Sequence, residues 1–111
     1  MSTTTTSLEN IIRTIIRTGK VVLGSKSAIK LTKLGKAKAV IIARNAPKNL
    51  RSDVEYYAKL SNIPIIEYPG TNMELGAVCG KPFSVAMLTI LDLGSVHEET
   101  LLMFRKGEEH A

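Results

Sequence analysis

Leu8, Ile11, Ile12, Ile15 and Ile16 recur at i, i+3, i+4, i+7 and i+8, the spacing that lines one face of an α-helix with apolar side chains. Ser7 stands where a cap would open that helix and Gly19 where a glycine would end it; Glu9 and Arg13 lie four apart on its polar side. The period then changes. Residues 20–23, KVVL, are apolar and β-branched and read as a strand, residues 25–34 return to helical spacing and stop at Gly35, and residues 38–43 form a second strand. That strand contains AVIIA, a continuous apolar run of the kind covered on both faces of a sheet. Leu50, Val54, Tyr57, Ala58 and Ser61 mark another helix, with Ser52 and Glu55 at capping-box spacing. Residues 63–68 read as a strand and Pro69-Gly70 as a turn. Thr71 and Glu74 make a further capping box, opening a short helix that ends at Gly80, and residues 84–92 form a long last strand. Strands alternating with helices, with no repeat or linker, predict a three-layer α/β/α sandwich in one domain over residues 1–111. The threonine-rich residues 1–6 read as a flexible start, and the acidic segment 95–111 as either a short helix or a loose tail.

Charge changes the picture. The chain carries a net +5, but residues 1–60 hold twelve Lys/Arg against three Asp/Glu and residues 61–111 hold three against seven. From Asn10 to Ser52 there are eleven basic residues and no acid. A solvated surface mixes signs, so a one-sign block of this length points to a polyanion, and to nucleic acid first. A single cysteine, Cys79, excludes a disulfide framework and suits a reducing cytosol. No apolar run approaches the ~20 residues of a membrane span, and no leader core follows the threonines.

The stretch GKVVLGSKSAIK, residues 19–30, raises the question of a nucleotide-binding loop. Gly19 and Gly24 have the required gap, but Ser25 separates Gly24 from Lys26, and the residues between the glycines form a strand whose N–H groups belong to a sheet. What remains is a strand ending at Gly24 with a helix starting at Ser25 or Ser27, an anion-receptive turn without NTPase chemistry. Lys26, Lys30 and Lys33 fall at i, i+4 and i+7 on that helix, whose other positions (Ala28, Ile29, Leu31, Leu34) are apolar and expected to be buried. Three lysines in register read as a track for phosphates, where one alone would be an ordinary snorkelling side chain. Strands 20–23 and 38–43 are expected to be parallel neighbours, which puts Gly24-Ser25-Lys26 and Arg44-Asn45-Ala46-Pro47-Lys48 at carboxyl ends on one edge of the sheet. Asn45 reads equally as a turn residue or as an amide for a base edge. The third loop, Gly80-Lys81-Pro82-Phe83, offers an aromatic ring beside a lysine, a stacking platform for an unpaired base.

Two longer stretches carry a family resemblance: GSKSAIKLTKLGKAKAVIIARNAP, and DVEYYAKLSNIPIIEYPGTNMELGAVCGKPF. They closely resemble the ribosomal protein L-thirty-e family, the archaeal and eukaryotic large-subunit branch of the kink-turn RNA-binding superfamily, with an archaeal member the nearest fit. The resemblance runs from about Leu8 to Asp92, and VEYYAKLS, IARNAP and the ELG…GKPF piece are specific to this branch. It implies a four-stranded mixed sheet between helices and RNA gripped by three adjacent loops. Onto this chain it carries Gly24, Ser25, Lys26 and Lys30 for the first loop and helix start; Ser27 at the helix start and Lys33 on the lysine ridge join them as RNA-binding candidates from the residues themselves. Arg44, Asn45 and Lys48 carry over to the second loop, and Gly80, Lys81, Pro82 and Phe83 to the third. Relatives that nucleate box C/D particles carry Asn-Glu where this chain has Lys26-Ser27, which sets it with the dedicated ribosomal members. The resemblance further implies a cytoplasmic, non-catalytic constituent of the ribosome, monomeric when free. Its partners would be ribosomal RNA at a kink-turn or internal loop and neighbouring ribosomal proteins, with no cofactor and no small-molecule substrate.

Two other classes compete. A nucleotide- or RNA-modifying enzyme domain would use the same strand ends, but it needs a poised acid, base or nucleophile. Glu74 and Asp53 read as helix-start residues, Cys79 as a small apolar core residue, and His97 and His110 as too scattered to hold a metal. A DNA-compacting protein would spread its charge over the whole surface.

Overall fold

The computed structural model describes residues 3–104. Over these, nine elements follow in order: α1 (Thr3–Thr18), β1 (Lys20–Leu23), α2 (Ser25–Lys33), β2 (Ala39–Ala43), α3 (Lys48–Ser61), β3 (Ile65–Tyr68), α4 (Asn72–Val78), β4 (Met87–Asp92) and α5 (Glu98–Leu102). The AVIIA run of β2 is buried at every residue, as a strand covered on both faces must be. The sheet has four strands in the order β1-β4-β2-β3, with β2 and β3 parallel and β4 antiparallel to both its neighbours.

That order corrects the expectation that β1 and β2 are neighbours. They point the same way, but β4 lies between them, with Ile90 opposite Val21 on one side and Ala39 on the other. The first four residues of β4 are buried, which suits a central position better than an edge. The carboxyl ends of β1, β2 and β3 nevertheless share one edge of the sheet, together with the amino end of β4.

Each face has its own core. Leu8, Ile12 and Ile15 of α1, Leu75 and Val78 of α4 and Leu101 of α5 pack on Ile41, Ile66, Leu88 and Ile90. Ala28 of α2 and Val54 and Ala58 of α3 pack on Val40, Ile42 and Met87 of the opposite face. The three-layer α/β/α arrangement follows directly. The α2 helix is less buried than its apolar positions suggested: Ala28 and Thr32 are buried, while Leu34, its C-cap, is 55% exposed. Two threonine hydroxyls, Thr32 and Thr89, are buried with no hydrogen-bond partner among the described residues.

Several ends differ from expectation. The α1 helix starts at Thr3 and runs through Ser7, so Ser7 is interior and not a cap. Glu9 does not pair with Arg13; its carboxylate accepts a 2.7 Å bond from the Tyr68 hydroxyl, while Arg13 turns to the Asn10 side chain at 3.5 Å. Ser52 and Glu55 lie inside α3, which opens at Lys48 behind Pro47. A proline fixed at φ −56° is already shaped for a helix entrance, so the helix starts a full turn earlier than the serine proposed. The Thr71–Glu74 capping box is present with both of its bonds. Past Gly94 the chain forms the short helix α5; His97 precedes it, and His110 lies outside the described residues.

Candidate nucleic-acid interface

Four loops meet at the shared edge. Gly24 joins β1 to α2, residues 44–47 join β2 to α3, residues 69–71 join β3 to α4, and residues 79–86 join α4 to β4. Backbone bonds stitch them together. Gly24 N donates to Met87 O (2.9 Å), Ala43 N to Ala86 O (2.8 Å), Arg44 N to Gly70 O (2.9 Å) and Val85 N to Asn72 O (2.9 Å). The edge is therefore a cross-braced platform and not a set of independent loops.

In the first loop Gly24 takes φ 113° and ψ 149°, a region open to glycine and hardly to other residues, and the space in front of it is empty to 4 Å. The chain enters α2 there with no side-chain cap and no acid in the first turn. The first N–H groups of the helix have no intrahelical acceptor and point off its positive end. Lys26 and Lys30 are exposed on this turn and the next, and Ser25 and Ser27 are half-buried beside them. Lys33 does not join them. Seven residues further along the axis, roughly 10 Å away, its ammonium sits 5.6 Å from the centre of the Tyr57 ring on α3.

The second loop repeats the design. Pro47 precedes α3 with no side-chain cap, no acid occupies the first turn, and Lys48 is exposed at its first position beside exposed Arg44. Asn45 is committed elsewhere. Its Oδ1 accepts from Asn72 N at 2.8 Å and its Nδ2 donates to Asn72 Oδ1 at 3.2 Å. This favours the turn role over the base-edge role, since each end of the amide already serves to tie the second loop to the start of α4.

Sequence reasoning missed Arg51. One of its guanidinium nitrogens donates to Ala43 O at 3.0 Å and Arg44 O at 3.2 Å, and another pairs with Glu67 at 3.0 Å. It is a brace for the second loop, spent on carbonyls and not open to a ligand. Only its position in the acid-free block singled it out in the sequence, and that signal pointed to the wrong role.

The third loop begins where α4 ends. Gly80 N donates to Ala77 O (2.9 Å) and Lys81 N to Gly76 O (2.9 Å), the paired bonds of a Schellman end with Gly80 at φ 76°. Lys81, Pro82 and Phe83 follow, all exposed, with Phe83 keeping 53% of its surface open. Gly76 holds the loop close: a Cβ there would run into the Phe83 carbonyl oxygen.

Two of the groups weighed for catalysis have structural surroundings. Glu74 is bonded within its capping box. Cys79 is buried and free, and burial pushes its thiol up to about 11, with Lys81 only partly opposing the shift. Burial first, and the Glu9 carboxylate after it, hold the Tyr68 phenol well above its ordinary value. Among the described residues no group of three or more His, Cys, Asp or Glu is placed to hold a metal ion.

Residues 6–99 match the family described as ribosomal protein L7Ae/L30e/S12e/Gadd45. The chain is 54% identical to large ribosomal subunit protein eL30 of Methanocaldococcus jannaschii, over 88% of this chain and 89% of that one. It is likewise 54% identical to the protein of that name from Methanopyrus kandleri, over 92% of each chain. Its identity to the one from Sulfurisphaera tokodaii is 48%, over 80% of this chain and 84% of that one.

Proposed function

From the premise that the chain belongs to the ribosomal protein L7Ae/L30e/S12e/Gadd45 family, with archaeal eL30 proteins among its similar relatives, we propose that it is a non-catalytic constituent of the large ribosomal subunit that grips ribosomal RNA at a kink-turn or similar internal loop. The whole chain acts as one RNA-binding unit in the cytoplasm, monomeric until it joins RNA and neighbouring ribosomal proteins.

One observation carries the RNA reading. On a single edge, two helices open with no side-chain cap and with lysine in place of acid in the first turn, next to a loop bearing Lys81 and an exposed Phe83. A cation at a helix N-terminus is unfavourable for the free protein. An approaching phosphate reverses that balance, because it meets the open N–H groups and the ammonium together. An exposed ring beside these phosphate seats suits RNA whose internal loop turns a base outward, since duplex bases stay stacked and out of reach. The enzyme reading is disfavoured by the same edge, where Glu74 is taken up in capping and the Cys79 thiol is held protonated.

A gel-shift of the purified protein against a kink-turn RNA and a plain RNA duplex of equal length tests the reading. Tight binding to the kink-turn, weak binding to the duplex and a large loss in Lys30→Glu are expected. Equal affinity for both RNAs, or hydrolysis of ATP or GTP above background, overturns it.

A further inference from the structure

The eleven basic residues of the acid-free block do not all reach the edge just described. Lys26, Lys30, Arg44 and Lys48 do. Arg17, Lys20, Lys36 and Lys38 lie at the opposite edge, where β1 and β2 begin and β4 ends, and all four are exposed. Their placement is fixed by the sheet. Lys38 N donates to Ile90 O at 2.7 Å, and Lys20 stands opposite Asp92, so the two lysines flank the end of β4 from either side. Two strand spacings separate them, roughly 10 Å. Lys36 follows the glycine turn that ends α2, with its N–H bonded to Leu31 O at 2.9 Å, and Arg17 closes the last turn of α1.

Part of this cluster serves the helix ends. α1, α2 and α3 all finish at this edge, and cations in a last helical turn, such as Arg17, Lys33 and Lys59, complement the negative helix end. Lys20, Lys36 and Lys38 fall outside those turns, on strand starts and a loop. The nearby carboxylate is Asp92, and it is occupied in its own turn, accepting from Gly94 N at 2.8 Å. Among the described residues none of the three lysines has a carboxylate within ion-pair distance. Three exposed like charges this close repel one another, and an external anion relieves the repulsion.

We propose that Lys20, Lys36 and Lys38, flanked by Arg17, form a second RNA-binding pole that engages the phosphate backbone of another RNA segment by charge and spacing, without reading its sequence. The protein is then a spacer between two RNA segments. From Lys38 to Arg44 is six steps of extended chain, so the two backbones sit roughly 20 Å or more apart on opposite ends of the sheet. This pole has no exposed aromatic between its lysines and no uncapped helix start, which is why it suits a plain duplex and the first edge does not. The inference rests on the RNA reading above for the first pole only.

The test is a bridging assay. Kink-turn RNA is immobilised, the protein is loaded, and labelled plain RNA duplex is added at low salt. The wild-type protein should recruit the duplex, and the triple variant Lys20→Glu/Lys36→Glu/Lys38→Glu should lose that recruitment while its kink-turn affinity and thermal midpoint stay unchanged. The log–log salt slope of recruitment should flatten by about 0.7–0.9 for each phosphate contact removed. A milder triple Lys→Gln set serves if the charge reversal fails to fold. Titrating duplex directly onto free protein keeps the two readings apart. Loss of kink-turn binding with duplex binding intact overturns the first function alone. No duplex recruitment by wild type, or recruitment that Lys26→Glu abolishes and the far-pole variant does not, overturns the second pole.

Discussion

Phe83 keeps more than half its surface open although the backbone around it is tightly fixed, with the glycine end of α4 before it and Pro82 setting the approach. An exposed ring loses little on truncation unless a ligand uses it. Phe83→Ala is expected to weaken RNA binding by ~1–3 kcal/mol, the range for a stacked base, and to leave the urea midpoint unchanged. A midpoint lowered as by a core truncation, ~3–5 kcal/mol, would put the ring in the core instead. Thr89 is the reverse case, a buried polar group. It sits in the centre of β4 with 0% exposure and, among the described residues, no partner for its hydroxyl. Thr89→Val keeps the branched shape and removes the stranded group, so urea unfolding should show a gain of about 1 kcal/mol; a loss would show that the hydroxyl is bonded after all.

The proposed interface is tested at its helix starts. Replacing Lys26 and Lys48 by Glu puts an acid where each helix end favours one, so stability should rise by ~0.3–1 kcal/mol per site while RNA affinity falls steeply. Opposite signs from one pair of substitutions, read by thermal unfolding and gel-shift, separate a ligand site from ordinary surface. Equal signs would reject the account of the uncapped ends. These elements were legible because their periods and punctuation are local: AVIIA announced a doubly covered strand, and Gly24, Gly35 and Gly80 marked turns that the backbone confirms. The sheet order was not legible, because strand–helix alternation looks the same whether the final strand adds at an edge or enters the middle. Caps misled for a related reason: the Ser52–Glu55 spacing of a capping box also occurs inside a helix, and only the earlier start at Lys48 reveals it. In the site, exposed lysines and Phe83 followed from composition and loop position. The roles of Asn45 and Arg51 did not, since their partners Asn72 and Glu67 lie 27 and 16 residues away in sequence.

At the scale of the molecule, one core face should make stability fall in alkali. Folding raises the Cys79 thiol from 9.0 to about 11 and raises the Tyr68 phenol above its ordinary 10.0. In both cases the folded chain keeps a proton that the unfolded chain has begun to release, so the folded state binds more protons and stability drops as pH rises. The urea midpoint should hold below pH 9, decline between pH 9 and about 11 as Cys79 acts, and decline further above pH 10 with Tyr68. Cys79→Ala should flatten the first part of that fall and spare the second; an unchanged profile would remove Cys79 from the account. The position of β4 has a consequence in time. Among the described residues β1 pairs with β4 alone, and the first two loops of the candidate interface are pinned to its approach, through Met87 O and Ala86 O. While a nascent chain is still being extended, the basic block therefore emerges long before the strand that organises it. Closing contacts between residues 20–23 and 88–92 needs almost the whole sequence, which makes assembly a late, all-at-once event. The platform of the candidate interface comes into being only when that strand inserts, so a truncated product would carry the charge of the protein without its shape.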